Sequence, residues 1–478
     1  MRRDLSALAD EELDLVVVGG GIYGVAAAWD AAQRGLAVAL IERDDFGAAT
    51  SWNSLKTIHG GMRYLQKARL GRLRESAHER RALLTIAPAL VRPLGFVVPT
   101  FGHGLTGREA LGLALRLNDW LTPDRNDGLP EGARIPTGRT VAAREAVELV
   151  PGLDPGGLTG AAVWSDAQAS STERLTLGFV LAAAAAGARV TNHAEVLEAL
   201  RARGRVAGVL VRDGMSGKTI EVKARVVLNA AGPWVDEVLE RAGVRRTAAP
   251  LLRARNLVFD RVPTLPHAVG SRSRGRFLFI VPWEGRTLVG TDYQPAETTP
   301  GDPQAFLAEA DRAFPWASLA GSRVALVHEG LVPGRVGASG LATRPRLHDH
   351  EAEDGLPGLV SLQGVKYTTA RAVAERAVDL VLRRLGRPAV SCRTAVTTLR
   401  GARPLQGTLE SRTREAVRQE MALTLADAVL RRLDLGTAGR PPGADVDVVC
   451  QAMARELGWD AERQQRERDA LDRTYPRP

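Results

Sequence analysis

Three glycines and one carboxylate near the start of the chain have the spacing of a phosphate-binding turn. Gly19, Gly21 and Gly24 stand between two apolar segments within residues 13–41, and Glu42 follows the second segment directly. Gly19 permits a tight turn, Gly21 lets the backbone approach a pyrophosphate, and Gly24 lets the following helix pack closely on the strand. The N–H groups and the dipole of that helix then face the phosphates. Glu42 lies at the right distance along the chain to accept a hydrogen bond from an adenosine ribose, so the segment predicts a dinucleotide site.

A second group of polar side chains follows Glu42 and has the chemistry to bind anions. Hydroxyls come first and cations after them: Thr50, Ser51, Ser54, Lys56, His59 and Arg63. The hydroxyls and the backbone amides could reach a pyrophosphate, while Lys56, His59 and Arg63 could surround an anionic substrate. The alternative is a polar loop that carries an incidental histidine and arginine.

Two histidines are candidates for a proton acceptor, because imidazole titrates near neutrality. For His59 a catalytic role and a hydrogen bond that fixes its loop remain alternatives, and for His328 a structural role is favoured. His348 and His350 are separated by one residue, but no flanking ligand set accompanies them, so we predict no metal site. No arrangement of Ser, His and Asp residues indicates a hydrolytic triad.

The composition indicates a cytoplasmic globular protein of two or three domains. The chain has 478 residues and two cysteines, so it offers neither a disulfide framework nor a thiolate metal cluster, and we expect a reducing compartment. The first dozen residues lack the apolar run of a secretory signal. No segment reaches the run of about 18 apolar residues that a spanning helix needs.

The charge of the chain leaves several partners open. The formal net charge is +9. Such a charge fits nucleic acid, an anionic membrane surface or an anionic substrate, but an Arg- and Ala-rich composition also follows from a GC-rich genome. The arginines are scattered and no nucleic-acid-reading motif is present, so we predict no nucleic-acid partner. Peripheral contact with a membrane and a homodimer stay open.

The order of predicted strands and helices indicates an α/β plus α+β protein. A discontinuous Rossmann-type domain takes the segments with nucleotide-binding character: 11–100, 158–250 and 340–390. An inserted antiparallel-sheet domain for the substrate takes the remaining strand-rich segments: 101–157 and 251–339. The last segment, 391–478, is predicted to be an all-helical cap with three helices: 413–432, 446–457 and 461–471.

Several segments, in order along nearly the whole chain, resemble the flavin-dependent glycerol-3-phosphate dehydrogenase/oxidase family. The most specific is Lys56–Leu65, with the sequence KTIHGGMRYL. The other similar segments occur in the same order as in the family: Gly19–Gly24, Asp30–Gly35, Ala49–Ser51, Asn229–Val235, Gly290–Asp292 and Gly364–Thr369. Residues 414–427 and 456–459 are similar to the helical C-terminal domain of that family.

The resemblance implies a flavoenzyme. FAD would be held by the Rossmann-type domain, and the secondary alcohol of sn-glycerol 3-phosphate would be oxidised to dihydroxyacetone phosphate by hydride transfer to flavin N5. Electrons would pass to quinone or oxygen, and members that use quinone sit peripherally on the inner face of the cell membrane. By position, Arg63 and Arg344 would bind the phosphate through charge-assisted hydrogen bonds. Lys366 would stabilise the reduced flavin, and His59 completes the predicted catalytic set.

The predicted contacts of FAD combine the glycine turn, the polar loop and small residues at the ends of later strands. They are Gly19, Gly21, Gly24, Glu42, Thr50, Ser51, Ser54, Lys56, Val196, Ala231, Gly232, Gly364, Lys366 and Thr368. Small side chains at strand ends leave room for a cofactor.

Two residues depart from the family pattern in the substrate domain. Val332 stands where the family has an arginine, in Gly-Val-Arg-Pro, and Asn256 stands where a rough alignment places a histidine. An apolar side chain supplies neither the charge nor the fork geometry of a guanidinium. Unless Arg253, Arg255 or Arg335 compensates, affinity for glycerol 3-phosphate falls steeply. Another small phosphorylated or acidic alcohol is therefore an alternative substrate, and an inactive flavin-binding protein is the second alternative.

Overall fold

The structure is a computed structural model that describes residues 1, 3–104, 107–244, 249–260, 265–297, 303–335 and 338–475. The strands are β1 (Leu13–Val18), β2 (Val38–Ile41), β3 (Thr57–Ile58), β4 (Val91–Phe101), β5 (Arg139–Ala142), β6 (Leu158–Ala169), β7 (Arg189–Thr191), β8 (Ala194–Ala202), β9 (Arg205–Asp213), β10 (Thr219–Asn229), β11 (Leu251–Phe259), β12 (Ala268–Ser273), β13 (Arg276–Trp283), β14 (Arg286–Pro295), β15 (Val324–Arg335), β16 (Ala338–Leu341), β17 (Arg346–Asp349) and β18 (Leu359–Gln363).

The α-helices alternate with these strands and then follow them. They are α1 (Ile22–Gln33), α2 (Leu70–Ile86), α3 (Arg108–Leu121), α4 (Ala143–Leu149), α5 (Thr172–Ala185), α6 (Val235–Arg241), α7 (Pro303–Ala313), α8 (His350–Asp354), α9 (Ala370–Arg384), α10 (Leu409–Glu420), α11 (Gly443–Leu457) and α12 (Ala461–Asp472). Two irregular helical segments matter below, the 3₁₀ helix Met62–Lys67 and the π-helix Asp427–Arg432.

The first sheet has the Rossmann-type arrangement that the sequence predicts. Its strand order is β17-β18-β10-β1-β2-β7. Strands β18, β10, β1, β2 and β7 run parallel to one another, and the edge strand β17 is antiparallel to β18. Strand β1 is buried along its whole length, as expected for a strand covered on both faces. Helices α1, α5 and α9 pack together on one face, where Trp29 contacts Phe179 edge to face at 5.4 Å. The carboxyl ends of β1, β2, β10 and β18 therefore meet at one edge of the sheet.

The second sheet is mostly antiparallel. Its order is β16-β15-β11-β14-β13-β12-β4-β6-β3, with β5 paired to β6. The predicted domain boundaries at residues 100 and 158 do not follow the sheets, because β4 and β6 pair along almost their full length within this second sheet. An apolar strand does not reveal from its own residues which sheet it joins, since the pairing partner is remote in sequence.

The C-terminal segment is helical, but the helix predicted over 413–432 is wrong as a single element. Helix α10 ends at Glu420, and Met421 has a left-handed φ of 54°. The Asp427 carboxylate then accepts the N–H groups of Leu423 and Thr424, which starts a separate π-helical turn. No described helix combines the length and the apolar character that a membrane crossing requires.

Candidate active site

The turn between β1 and α1 requires glycine, because a larger residue would not fit there. Gly19 has a φ of +105°, and a Cβ atom on it would lie 2.7 Å from the carbonyl oxygen of Ala230. A Cβ atom on Gly24 would lie 1.9 Å from the carbonyl oxygen of Gly19. Gly21 precedes the first residue of α1. The start of α1 thus lies against the turn, where its N–H groups and its dipole favour an anion.

Glu42 and Ser51 stand beside this turn. Glu42 follows β2, and its two carboxylate oxygens accept N–H groups from Gly20 at 2.6 Å and from Asp44 at 2.8 Å. Burial raises the pKa of Glu42. Each carboxylate oxygen keeps a second acceptor position, so a ribose hydroxyl can still bind there. The Ser51 hydroxyl accepts the N–H of Ile22 at 3.0 Å and fixes its loop to the start of α1.

A cavity of about 1230 Å³ extends from this turn to the second sheet. Fourteen of the residues predicted to bind cofactor or substrate line it: Gly19, Gly21, Glu42, Thr50, Ser51, Ser54, His59, Arg63, Val196, Ala231, Gly232, Gly364, Lys366 and Thr368. Drug-sized ligands occupy cavities of about 300–1,000 Å³, so this one has room for a larger molecule. An acid near a ribose position, a helix start and small residues at the strand ends all fit an extended dinucleotide such as FAD.

Lys56 does not join this cavity, which corrects its expected place. Its ammonium is fully buried and donates to the Trp52 carbonyl at 2.8 Å, to Thr172 Oγ1 at 3.0 Å and to Glu173 Oε1 at 2.7 Å. Sequence spacing places Lys56 near the phosphate loop but does not reveal that Glu173 lies beneath it. The structure therefore gives Lys56 a role in joining the loop to α5.

His59 faces the cavity and is backed by a carboxylate that sequence reasoning missed. Its Nδ1 lies 3.8 Å from Asp166 Oδ2, and its Nε2 lies 2.8 Å from Thr57 Oγ1. Burial alone would raise the pKa of Asp166, but the nearby His59 and Arg80 lower it. Asp166 therefore stays ionised and places a negative charge beside the His59 ring. The sequence did contain a signal for Asp166, because it is the one acidic residue among the mostly small and apolar residues of β6.

Lys366 follows β18 and is positioned by Tyr23 of α1. The Tyr23 hydroxyl accepts the N–H groups of Val365 and Lys366 at 3.0 and 2.9 Å, and it donates to the Lys366 carbonyl at 2.6 Å. Burial raises the pKa of Tyr23 to about 12, so it remains a donor. The Lys366 ammonium lies 4.2 Å from the centre of the Tyr64 ring. Three hydrogen bonds thus fix the backbone that carries Lys366, and a cation–π contact holds its ammonium.

Arg344 lines a smaller cavity of about 340 Å³ rather than the large one. Tyr64 and Lys366 border both cavities, so the two adjoin. Arg63 lies in the large cavity, Arg344 in the small one, and Lys366 between them. Arg63 and Arg344, which the resemblance assigns to one phosphate group, thus line two adjoining cavities that share Lys366.

Three cations near the junction of the two cavities lack a carboxylate partner within the part of the chain that the structure describes. Arg63, Arg344 and Lys366 form no ion pair with a carboxylate of the described residues. Arg72, which sequence reasoning missed, joins Arg344 in the small cavity and donates to the Thr343 carbonyl. Burial, together with the charge of Arg344, lowers the pKa of Arg72. An anion bound here would relieve this accumulation of positive charge.

The two departures from the family pattern both line the large cavity. Val332 forms part of the wall, and Asn256 Oδ1 accepts the Thr291 hydroxyl at 2.8 Å. Arg253 does not compensate because it pairs with Glu329, and Arg255 does not because it pairs with Asp292 at 2.7 Å. Neither arginine lines the cavity. The charge missing at position 332 is therefore not restored by these two neighbours on β11.

His328 is a structural residue. Its imidazole is fully buried, lies 2.7 Å from the Thr437 carbonyl, and packs edge-on against Trp52 and Trp283. Burial and the charge of Lys56 lower its pKa to about 4. The ring is thus neutral at pH 7 and outside the cavity, which agrees with the structural role favoured from the sequence.

The parallel sheet, its glycine turn and the long cavity against an antiparallel sheet are typical of dinucleotide-dependent oxidoreductases. Comparison with known proteins identifies the family within this class of oxidoreductases. The model of the FAD dependent oxidoreductase family matches residues 14–380, and that of the C-terminal domain of alpha-glycerophosphate oxidase matches residues 389–464. The chain belongs to the FAD-dependent glycerol-3-phosphate dehydrogenase/oxidase family.

Individual relatives support this membership. The chain is 32% identical over 436 residues to a glycerol-3-phosphate dehydrogenase of Synechocystis sp., covering 86% of this chain and 77% of that protein. It is 33% identical over 404 residues to a mitochondrial glycerol-3-phosphate dehydrogenase of Arabidopsis thaliana, covering 79% of this chain but 62% of that longer protein. The solved glycerol-3-phosphate dehydrogenase of Bacillus halodurans complexed with FAD shares the fold, with a TM-score of 0.75, 24% identity and coverage of 98% and 96%. The protein is thus an FAD-dependent oxidoreductase.

Proposed function

We propose that this enzyme oxidises the secondary alcohol of glycerol 3-phosphate to dihydroxyacetone phosphate. The observation that carries the proposal is the unneutralised charge of Arg63, Arg344 and Lys366 where the two cavities adjoin. A phosphate dianion accepts several charge-assisted hydrogen bonds from such groups. The names of the relatives, which are glycerol-3-phosphate dehydrogenases, support the same substrate.

The side chains divide the reaction between binding and proton transfer. The chemistry that bound FAD would supply is acceptance of a hydride from the carbon that carries the hydroxyl group. Arg344 and Arg63 hold the phosphate group and so fix the distance of that carbon from the Lys366 ammonium. His59 Nε2 lies 2.8 Å from Thr57 Oγ1, so His59 takes the substrate's hydroxyl proton by way of the Thr57 hydroxyl, which lines the cavity. Asp166, 3.8 Å from His59 Nδ1, stabilises the imidazolium that forms. Tyr23 acts as a positioning residue through its bonds to the backbone of Lys366.

Arg344→Gln tests the phosphate role, with Arg376→Gln as a matched control. Both arginines line the small cavity, but Arg376 is paired with Glu75 at 2.8 Å. A hydrogen bond to a charged group contributes about 1.5–3 kcal/mol, so Arg344→Gln should raise KM for glycerol 3-phosphate about 10- to 150-fold. Arg376→Gln should leave KM within about threefold of the natural enzyme. Equal effects of the two variants would contradict a specific role of Arg344.

His59→Gln tests the proton acceptor. Removal of a general base lowers the rate of the chemical step by about 10²–10⁴-fold. The rate of flavin reduction in a stopped-flow experiment should fall by that amount while the content of bound FAD stays constant. His103→Gln, which changes an exposed histidine, is the control. A His59 variant with the natural rate would leave only the loop-fixing role.

Val332 and Asn256 favour a second candidate substrate, which would be oxidised by the same chemistry. With an apolar side chain at position 332, the cavity wall lacks a charge that would otherwise help bind phosphate. Another small phosphorylated or acidic alcohol is then the substrate. Anaerobic addition of a panel of such alcohols to the FAD-loaded enzyme discriminates the candidates, because the true substrate bleaches the flavin fastest. An enzyme that none of them bleaches would support the inactive flavin-binding alternative.

We further propose that the electron acceptor is a membrane quinone and that the enzyme docks peripherally on the inner face of the cell membrane. Helix α3 supports this because Leu113, Leu117 and Trp120 lie on one face of it, with exposed fractions of 68%, 40% and 75%. Leu113 and Leu117 also line the large cavity, so the same face borders the flavin site. Oxygen as the acceptor, and a homodimer, stay predictions.

Sedimentation with vesicles of anionic phospholipid tests the docking. The natural enzyme should pellet with the vesicles, and the double variant Leu113→Gln/Trp120→Gln should remain in the supernatant. Val396→Gln changes an equally exposed apolar residue in the C-terminal segment and should pellet normally. Pelleting that is unchanged in the double variant would exclude α3 as the contact. Turnover with oxygen but not with a soluble quinone would exclude the quinone.

A further inference from the structure

Two histidines and one aspartate converge at the edge of the first sheet, away from the two cavities. His348 Nε2 lies 2.7 Å from Asp354 Oδ2, and His350 Nδ1 lies 2.6 Å from the same oxygen. The two imidazole rings have centres 4.3 Å apart. His350 is fully buried and His348 nearly so, while the Asp354 side chain is 35% exposed. The sequence showed two histidines without a further ligand, and the turn at the end of α8 supplies one.

The remaining nitrogen of each ring is also held. His350 Nε2 lies 2.8 Å from Ser361 Oγ on β18, and His348 Nδ1 lies 3.0 Å from Glu353 Oε2. Arg346 lies farther from that nitrogen, at 3.5 Å. Metal-binding histidines characteristically use one nitrogen as ligand and donate the other N–H to a carboxylate or a neutral oxygen. Both rings show this arrangement.

Asp354 Oδ2 is shared by the two rings. The nitrogens that face it are His348 Nε2 and His350 Nδ1, and the opposite nitrogen of each ring contacts another residue. An imidazole nitrogen and a carboxylate oxygen can each offer a lone pair to a metal ion. One ion at this point would therefore bind both histidines and Asp354 at once.

We propose that His348, His350 and Asp354 bind a divalent transition-metal ion of the Zn²⁺ class. Two imidazole nitrogens and one carboxylate oxygen form a ligand set that Zn²⁺ accepts, with water in the fourth position. Zinc binds these atoms at about 2.0–2.2 Å in a tetrahedron, so the ligand atoms should separate to about 3.3 Å. Asp354 can withdraw because it ends α8 at the surface, next to Gly355 with a φ of 68°.

The proposed site has a structural consequence. Its ligands belong to β17 and α8, and Ser361 connects it to β18, the strand that leads to Lys366. A bound ion would therefore fix the edge strand of the sheet to the strand that carries the ammonium of the active site. A second cluster of similar composition, Asp45, His193 and Asp427, is already neutralised by Arg431 and Arg432 and carries no such proposal.

Equilibrium dialysis of the FAD-loaded enzyme against Zn²⁺, after treatment with a chelator, tests the site. We expect one tightly bound Zn²⁺ per chain, and Co²⁺ in its place should give the absorption spectrum of a four- or five-coordinate ion with nitrogen ligands. Asp354→Asn and His348→Gln should each weaken binding about tenfold or more. Glu351→Gln is the matched control, because Glu351 lies on the same helix but pairs with Arg384.

Thermal unfolding gives an independent readout that does not depend on catalysis. Zn²⁺ should raise the melting temperature of the natural enzyme and of Glu351→Gln, and it should not raise that of Asp354→Asn. Asp354 is at the surface, so its variant is expected to fold and keep FAD even if the His348 variant does not. Absence of bound Zn²⁺, or equal binding by Asp354→Asn and Glu351→Gln, would overturn the proposal.

Discussion

Replacement of Lys56 by methionine tests whether Lys56 is the buried partner of Glu173, as in the structure, or a residue of the binding cavity, as its position in the sequence predicts. In the structure the Lys56 ammonium and the Glu173 carboxylate are both fully buried and 2.7 Å apart. Methionine keeps the length of the side chain but leaves Glu173 without its partner. If Lys56 contacted the substrate anion instead, the same change would remove a binding group from the cavity.

The expected loss of stability follows from this burial. Removal of one partner of a buried ion pair costs about 3–5 kcal/mol, because the other charge stays in a medium that does not solvate it. At about 2 °C per kcal/mol for a chain of this size, the melting temperature should fall by about 6–10 °C. The double variant Lys56→Met/Glu173→Gln should recover part of this loss, since no uncompensated charge remains.

The assay follows the release of flavin fluorescence on heating, together with KM for glycerol 3-phosphate measured at a temperature where all variants are folded. We expect a lower melting temperature and an unchanged KM for Lys56→Met. Lys218→Met, at an exposed position, should change neither quantity. A melting temperature within 2 °C of the natural value combined with a tenfold rise in KM would refute the structural role, since about 1 kcal/mol or less would then depend on the pair.

Three further predictions test separate parts of the structure. Gly24→Ala should yield protein without FAD, because the new Cβ would lie 1.9 Å from a backbone oxygen, whereas Gly71→Ala, with open space around it, should bind FAD normally. The free energy of unfolding should fall by about 3 kcal/mol between pH 6.5 and about 4 through His328, since burial keeps its folded-state pKa near 4 while the unfolded chain takes up the proton. His328→Gln should remove that part of the pH dependence in calorimetric melts. Val332→Arg should lower KM for glycerol 3-phosphate in steady-state assays if the missing guanidinium limits binding, and an unchanged or higher KM would show that the other cations suffice.

The features predicted well from sequence are those whose cause is local. The glycine turn, the acid after β2 and the helix start lie within one βαβ unit, so their spacing alone determines their relative places. Ala231 and Gly232 also follow this rule, because they come directly after a parallel strand. The cavity that these residues line is therefore largely encoded in short segments.

The features that sequence reasoning missed depend on partners that are remote along the chain. Lys56 is buried because Glu173 lies beneath it, and His59 is oriented by Asp166, more than 100 residues away. The motif that contains Arg344 indicates a substrate residue but not which of two adjoining cavities it faces. The break at Met421 depends on a single left-handed residue within an otherwise helical pattern, and such a break has no strong sequence signal.

Anaerobic reduction tests most directly whether the flavin site adjoins a cationic site for a phosphorylated alcohol. Glycerol 3-phosphate should bleach the visible absorption of the FAD-loaded enzyme, while glycerol at the same concentration, which lacks the phosphate group, should leave it almost unchanged. Equal bleaching by both compounds would contradict a role of Arg63, Arg344 and Lys366 in phosphate binding. Absorption that neither compound changes would contradict the proposed reaction itself.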